Sequence, residues 1–167
     1  MPVNRPTTTQ ALTPSLLDRL IDYDPEQKVE PVMSRSQVIR ELRESVRRDL
    51  EVLLNTRIRC ESRPVEWTLA DGTVINYGIP DYSGINLNSE DDQHAFAKQI
   101  QKIIMHYETR FKSVKIDVLK NEDSFDRTFR FRIDALLKVE PAVKPVVFDS
   151  SLENASRRFM VRNIERG

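Results

Sequence analysis

The order of hydrophobic patterns predicts an α+β fold, in which N-terminal helices pack on one face of a small, mainly antiparallel sheet. Two stretches with helix-period apolar stripes, residues 34–57 and 89–107, come first. A run with strict strand-period alternation, residues 127–139, follows them, with shorter β-prone runs on either side. We expect one domain over residues 13–167, preceded by a flexible segment, residues 1–12.

The first long stretch predicts an amphipathic helix that begins at Ser34. Gln37 lies three residues later, the spacing of a capping box. The apolar stripe recurs at three- or four-residue steps and contains Val38, Leu42, Val46, Leu50, Leu53 and Leu54. The opposite face is basic, with Arg40, Arg43, Arg47 and Arg48. This basic face is either solvated or a surface for a partner.

The segment between the two long helices is irregular. Asp71-Gly72 is a turn signal between two short β-prone runs, which predicts a small hairpin. Three of the four glycines, Gly72, Gly78 and Gly84, lie in this segment. Because glycine is rare elsewhere in the chain, we expect these positions to need unusual dihedrals or close backbone contacts.

The second long helix is predicted to begin after Ser89, whose side chain suits an N-cap. Its first turn is acidic, which complements the positive end of the helix dipole. The expected buried stripe contains Ala95, Phe96, Ile100, Ile103, Ile104 and Tyr107.

Four strands are predicted after this helix. The first covers residues 113–119, and the second covers residues 127–139 and is expected to end at Pro141 and Pro145. Two further short strands are expected in residues 146–167, around a turn at residues 153–156.

Composition narrows the classes of function. Lys and Arg together number 26, as do Asp and Glu, so the formal net charge is zero. This balance argues against a protein that attracts nucleic acid through a net positive charge. The single cysteine, Cys60, cannot form an internal disulfide. The first 20 residues lack an apolar core long enough for a signal peptide, and no stretch approaches the ~20 apolar residues that a membrane span needs. We therefore expect a cytoplasmic protein that binds no nucleic acid and does not insert into a membrane.

The sequence contains no persuasive catalytic arrangement. His94 and His106 lie about 18 Å apart along one predicted helix, so they cannot share a metal ion there, and no cofactor is expected. Glu108 and Arg110 stand where the pattern changes from helix to strand. They form a catalytic pair, a structural clasp or a docking point for another chain. Glu108 with Asp81 would supply the two carboxylates of a glycosidase, but a neighbouring arginine favours the charged carboxylate over the protonated acid.

Three stretches in the same order resemble TssE, the small baseplate subunit family of type VI secretion systems. They are "SVRRDLEVLLNTR" (residues 45–57), "NYGIPDYSG" (residues 76–84) and a helix that leads into "YETRF" (residues 107–111). This family is grouped with the wedge proteins of contractile phage tails and carries a historical lysozyme-like label. Its hallmark is a Glu-Pro-Arg triplet, which corresponds here to Glu108-Thr109-Arg110, with threonine in the proline position.

The resemblance implies a structural subunit rather than an enzyme. Its expected partners are the baseplate subunits TssF and TssG, TssK as a further candidate, and the contractile sheath, at the cytoplasmic face of the inner membrane. The expected partner-binding residues are Glu108, Arg110, Arg47, Arg48, Tyr77 and Asp81. On this view, Arg110→Ala folds normally and is lost from the wedge complex. An open sheet edge, at residues 113–119 or 157–163, is expected to accept a strand from another chain.

Two other functions stay open at this point. One is a lysozyme-like enzyme that cleaves peptidoglycan, as the family's historical label suggests. The other is an adaptor or nucleic-acid module that uses the arginine face of the first long helix. A zymogram on cell-wall material and a salt-dependent binding assay would distinguish them from a baseplate subunit.

Overall fold

The computed structural model describes residues 18, 20, 21, 26, 34–58, 73–87, 89–121, 126, 128–139, 142–153 and 156–164. Its main elements, in chain order, are helix α1 (Arg35–Asn55), a short 3-10 helix (Val74–Asn76), helix α2 (Glu90–Tyr107) and strands β1 (Phe111–Leu119), β2 (Phe129–Val139), β3 (Ala142–Glu153) and β4 (Arg158–Ile164). Helices precede strands, which confirms the predicted α+β class. Cys60 and the turn predicted at Asp71-Gly72 lie outside the described residues.

Helix α1 begins where its capping box predicts. The Gln37 backbone N–H donates to Ser34 Oγ (3.4 Å), and the Ser34 backbone N–H donates to Gln37 Oε1 (2.8 Å). The buried apolar residues of α1 are Ile39, Val46, Leu50, Leu53 and Leu54. Val38 and Leu42, which were predicted in this stripe, are only partly buried.

Helix α2 also begins at its predicted cap, because Ser89 Oγ accepts from the Asp92 backbone N–H (3.4 Å). Its buried residues are Phe96, Ala97, Ile100 and Ile104. The prediction of Ala95 in the stripe is wrong, since Ala95 is exposed. Ala97 takes this place because it lies three residues before Ile100, on the same helix face.

The four strands form one antiparallel sheet in the order β1-β2-β3-β4. Along β2, the side chains of Phe129, Phe131, Ile133, Ala135 and Leu137 are buried and alternate with polar residues, as predicted. Helix α1 packs beside β4 and helix α2 packs beside β1. The residues buried most completely include Phe96, Phe129, Phe131, Phe148 and Phe159. The core therefore lies between the two helices and one face of the sheet.

Strand β3 begins earlier than predicted, and Pro145 lies inside it opposite Leu136 of β2. Strand β2 ends at Val139, before both prolines, as predicted for the second strand, but Pro145 lies inside β3 rather than between two strands. Pairing between β3 and β4 begins only at Val147, so Pro145 lies where β3 has no described neighbour on its far side. A missing backbone N–H is tolerated at such an edge position.

The loop before α2 passes very close to the end of α1. Gly78 has φ +120°, and a Cβ at this position would lie 2.5 Å from the Thr56 carbonyl oxygen. The prediction of special backbone requirements is confirmed for Gly78 but is wrong for Gly84, which has open space around it. The second β-prone run of the predicted hairpin contains the 3-10 helix Val74–Asn76 rather than a strand.

The solvent face of the sheet carries a row of alternating charge across all four strands. Asp117 lies opposite Arg132, Arg132 opposite Asp149, and Asp149 opposite Arg162. Arg132 Nε is 2.8 Å from Asp149 Oδ1. Opposite charges on neighbouring strands favour this pairing register.

Candidate functional site

The joint between α2 and β1 is a tight turn held by backbone bonds. Glu108 is the C-cap of α2, and its N–H donates to the Ile104 carbonyl (2.8 Å). The Lys138 N–H donates to the Arg110 carbonyl (2.9 Å), and Lys138 Nζ donates to the Thr109 carbonyl (2.8 Å). Lys138 thus fixes the joint to β2 at Thr109 and Arg110, although threonine stands where the resembled family has proline.

The side chains of Glu108 and Arg110 pair with each other at this joint. Glu108 is buried, with 7% of its surface exposed. Arg110 donates from Nε to Glu108 Oε1 (2.7 Å) and from Nη2 to Oε2, which is a two-pronged charge-assisted contact. The Arg110 backbone N–H also donates to Glu108 Oε1 (3.1 Å). Both carboxylate oxygens of Glu108 are therefore occupied within the chain.

Arg110 also reaches across to helix α1. Its Nη2 contacts Asp49 Oδ2, and its Nη1 donates to Ser45 Oγ (3.1 Å). Ser45 Oγ in turn donates to Asp18 Oδ2 (2.5 Å). We call the five residues Asp18, Ser45, Asp49, Glu108 and Arg110 the clasp, because together they connect α1 with the joint.

The electrostatics of the clasp favour a permanently charged Arg110. Burial alone would lower the pKa of Arg110, but the hydrogen bonds and charges of Glu108 and Asp49 outweigh burial and raise it. Of the three interpretations that the sequence left open, the observed contacts match a structural clasp. Contact of Glu108 or Arg110 with a partner stays a prediction.

A cavity of about 290 Å³ lies beside the clasp. Its lining residues are Asp49, Leu50, Leu53, Tyr77, Tyr107, Glu108, Thr109 and Arg110. The rings of Tyr77 and Tyr107 meet edge to face, with centroids 5.2 Å apart. Burial raises the pKa of Tyr77, and the charges of Asp49 and Glu108 raise it further. The fold thus brings Tyr77 together with Glu108 and Arg110, as members of one surface region.

Asp81 belongs to a different environment and does not line this cavity. Its Oδ1 accepts from the Ser83 N–H (3.0 Å) and from Ser83 Oγ (2.6 Å). These hydrogen bonds hold the pKa of Asp81 below its ordinary value, with a smaller contribution from Arg57. Asp81 is therefore unsuited to be the protonated acid that a glycosidase pair needs. Within the described residues, no cluster of three or more His, Cys, Asp or Glu could hold a metal ion.

Arg47 and Arg48 both have partners within the chain. Arg47 lies between Glu44 (2.7 Å) and Glu51 (2.5 Å) of α1 and also donates to the Val161 carbonyl of β4 (3.3 Å). Arg48 pairs with Asp18. The arginine face of α1 is thus in part an internal contact surface, which neither of the two sequence-based interpretations included.

The outer edge of β4 is covered by side chains of α1. Asn55 Nδ2 donates to the Phe159 carbonyl (2.9 Å), and Asn55 Oδ1 accepts from the Phe159 N–H (2.9 Å). Arg47 donates to the Val161 carbonyl on the same side of β4, and Arg43 donates to the Ile164 carbonyl (3.0 Å) at the end of the strand. The bonds to Phe159 and Val161 replace bonds that another strand would make at this edge.

The outer edge of β1 has no such cover among the described residues. Strand β1 pairs with β2 on one side, and no side-chain or backbone bond from a described residue reaches its other side. Of the two edges that the sequence left as candidates, the one at residues 113–119 is the unpaired edge within the part of the chain that the structure describes.

Sequence reasoning missed Ser45, Asp49 and Asn55. Ser45 and Asp49 are four residues apart on α1, so they share one face next to the apolar stripe. That polar pair at helical spacing is the signal that could have indicated a contact across the core boundary. Asn55 carries no comparable signal, because its role depends on where β4 lies.

Comparison with known proteins gives a family match. Residues 40–142, more than half of the chain, match the family model described as baseplate wedge protein gp25. The matched part runs from α1 to the start of β3 and so contains Asp49, the joint and β1. No curated protein and no solved structure gives a significant match.

Proposed function

Because the chain belongs to the gp25 family of baseplate wedge proteins, we propose that it is a structural subunit of a type VI secretion baseplate. In this role it joins the TssF–TssG wedge and links that wedge to the first ring of the contractile sheath. The family match over residues 40–142 is the observation that carries the proposal. A baseplate wedge protein works by contact with other baseplate subunits, so its function depends on surfaces that other chains complete.

The clasp gives this subunit a rigid surface around the α2–β1 joint. Glu108 and Arg110 hold α1 against the joint, and Asp49 and Tyr77 line the adjacent cavity. Asp49 retains 46% exposure of its side chain. We assign Tyr77 and Arg48, together with Asp81 in its separate environment, to direct contact with the wedge. Glu108 and Arg110 position the surface around the joint, which includes Tyr77 but not Asp81. A surface fixed before binding loses less conformational entropy on association.

The unpaired edge of β1 is the proposed attachment point for the sheath. An added strand gains main-chain hydrogen bonds there, while pockets for alternate side chains give specificity. Because α1 covers the edge of β4, while the edge of β1 has no neighbour among the described residues, addition of a strand is favoured on the β1 side. Among the described residues, no helix is long and apolar enough to cross a membrane. We propose that the subunit works at the cytoplasmic face of the inner membrane through its partners.

We propose no enzymatic role for the chain. The opposed carboxylates of a glycosidase need one proton donor, whereas Glu108 is held by Arg110 and Asp81 by Ser83. A zymogram with purified wild-type chain on peptidoglycan should show no clearing. Clearing that is lost in Glu108→Gln would overturn this part of the proposal.

Co-expression of the tagged chain with TssF and TssG tests the proposed wedge surface. We expect wild type to recover both proteins, and the double variant Tyr77→Phe with Asp81→Asn to recover less of them. Both substitutions are mild, since the ring contact of Tyr77 and an oxygen for Ser83 are retained. Lys98→Gln, which removes one exposed charge from α2, is the matched control. Undiminished recovery of the double variant would refute the role of Tyr77 and Asp81.

A further inference from the structure

The edge of β1 that has no neighbour among the described residues has a charge pattern that is complementary to itself. On the face of β1 toward the core lie Val114, Ile116 and Val118, and on the solvent face lie Lys115 and Asp117. Lys115 Nζ is 2.7 Å from the Asp117 carboxylate, and both side chains are substantially exposed. Ile116 and Val118 are only partly buried, so the edge leaves apolar surface uncovered.

We infer that this edge binds a second copy of the chain, with the two β1 strands antiparallel and Ile116 on the two-fold axis. In this register Lys115 lies opposite Asp117 of the second copy, and the symmetric pair repeats the contact. On the core face, Val114 lies opposite Val118 of the second copy and the two Ile116 side chains meet. Each copy thereby covers the apolar border of the other.

No neighbouring register has the same complementarity. Moving the axis to Lys115 would set two lysines opposite each other, and moving it to Asp117 would set two aspartates opposite each other. Like charges directly opposite are destabilising. A slip of one β1 strand by a single residue would place Ile116 opposite Lys115 or Asp117 of the second copy. The core-facing side chains of one copy would then lie on the same side of the sheet as the solvent-facing side chains of the other. The central register is therefore the specified one.

The pairing also extends the charge row of the solvent face. Within one copy, Asp117 lies opposite Arg132, and Lys115 lies opposite Asp134. Across the proposed seam, the row runs from Arg132 to Asp117, then to Lys115 of the second copy and on to its Asp134. Positive and negative charges alternate throughout, as they do inside each sheet.

Two features bound the strength of this dimer. At each end of the paired segment, Lys112 would lie opposite Lys120 of the second copy. Because these like charges repel, favourable pairing is confined to Ser113–Leu119. A contact of two strand edges is also small compared with a stable interface. Because α2 packs beside β1, the two α2 helices would lie next to each other across the seam. We therefore expect a concentration-dependent dimer.

Self-pairing would occupy the edge that the proposed function gives to the sheath. The two uses of the edge then exclude each other, a consequence that rests on the proposed function. The dimer itself does not rest on it, because it requires only purified chain. A failed dimer test would leave the co-expression test of the wedge unaffected.

Charge exchange between Lys115 and Asp117 tests the register. Sedimentation equilibrium of wild type should show a monomer–dimer equilibrium. Lys115→Asp alone or Asp117→Lys alone should raise the dimer Kd at least tenfold, since each sets like charges opposite across the axis. An equimolar mixture of the two variants should dimerise again, as should the double exchange. Thermal unfolding of each variant confirms that it is folded.

A strictly monomeric wild type, or singles that dimerise as well as wild type, would overturn the inference. So would folded single variants whose mixture stays monomeric.

A crosslink provides a second measurement that does not alter the charges. In a Cys60→Ser background, Ile116→Cys should form a disulfide-linked dimer on oxidation, because position 116 faces itself across the axis at roughly 5 Å between Cβ atoms. Lys112→Cys is the control, since its two copies would lie roughly 26 Å apart along the strands. Equal crosslinking at both positions, or none at position 116, would overturn the inference.

Discussion

At the scale of single residues, the burial of Glu108 determines what the joint can do. A carboxylate with 7% exposure needs a permanent counter-charge. Arg110, two residues later in the chain, supplies that charge. The sequence shows two charges beside each other but not their burial, because burial depends on how α1 packs over the joint. The sequence led to the expectation that Arg110→Ala folds normally, whereas the contacts of Arg110 lead us to expect a loss of stability.

We predict that Arg110→Ala lowers the free energy of unfolding by on the order of 3 kcal/mol, because it leaves Glu108 buried without its counter-charge. Chemical denaturation of the purified variant measures this. Arg110→Lys keeps the positive charge but loses the two-pronged contact with Glu108, so it should lower the free energy of unfolding by less than Arg110→Ala does. A loss below about 1 kcal/mol for Arg110→Ala, the usual range for exposed ion pairs, would contradict the clasp.

A second prediction at this scale concerns the backbone at Gly78. Gly78→Ala should destabilise the fold by at least about 2 kcal/mol, because of its positive φ and the close approach of the Thr56 carbonyl. Gly84→Ala is the matched control and should change stability by less than about 0.5 kcal/mol, since no atom lies within 4 Å of the added Cβ. Equal effects of the two substitutions in thermal unfolding would refute the account of this loop.

At the scale of elements, the sequence was most informative where one periodicity runs uninterrupted. Both helix caps and the alternation of β2 were predictable, since each depends on neighbours within one element. The start of β3 was not predictable, because it depends on Pro145. A proline inside a strand is acceptable only where the strand has no neighbour on one side, and the sequence does not show where that is. Covering of the β4 edge was also unpredictable, since Asn55 and Phe159 are 104 residues apart in sequence.

We predict that Asn55→Ala exposes the β4 edge and lowers stability by about 1–2 kcal/mol through the lost hydrogen bonds. The Phe159 amide should also exchange its hydrogen faster, which NMR measures directly. Asn55→Asp keeps the acceptor for that amide but loses the donor to the Phe159 carbonyl, so it should protect the amide better than Asn55→Ala. Unchanged exchange at Phe159 in Asn55→Ala would show that Asn55 does not cover the edge.

At the scale of the whole molecule, the two borders of the sheet differ in a way that suits an assembly subunit. Side chains of α1 cover β4, while β1 keeps an unpaired edge among the described residues and a rigid joint beside it. The family match extends over both the joint and β1. A single domain from residue 13 onward and direct partner contacts at Arg48, Tyr77 and Asp81 stay predictions.

Quantitative affinity purification of the tagged chain, from cells that run their complete type VI secretion system, tests the central claim most directly. The account predicts that TssF and TssG are recovered with the chain in a fixed ratio, together with sheath protein when contraction is blocked. Recovery of the chain without TssF and TssG, from cells in which both are present and secretion is active, would contradict it.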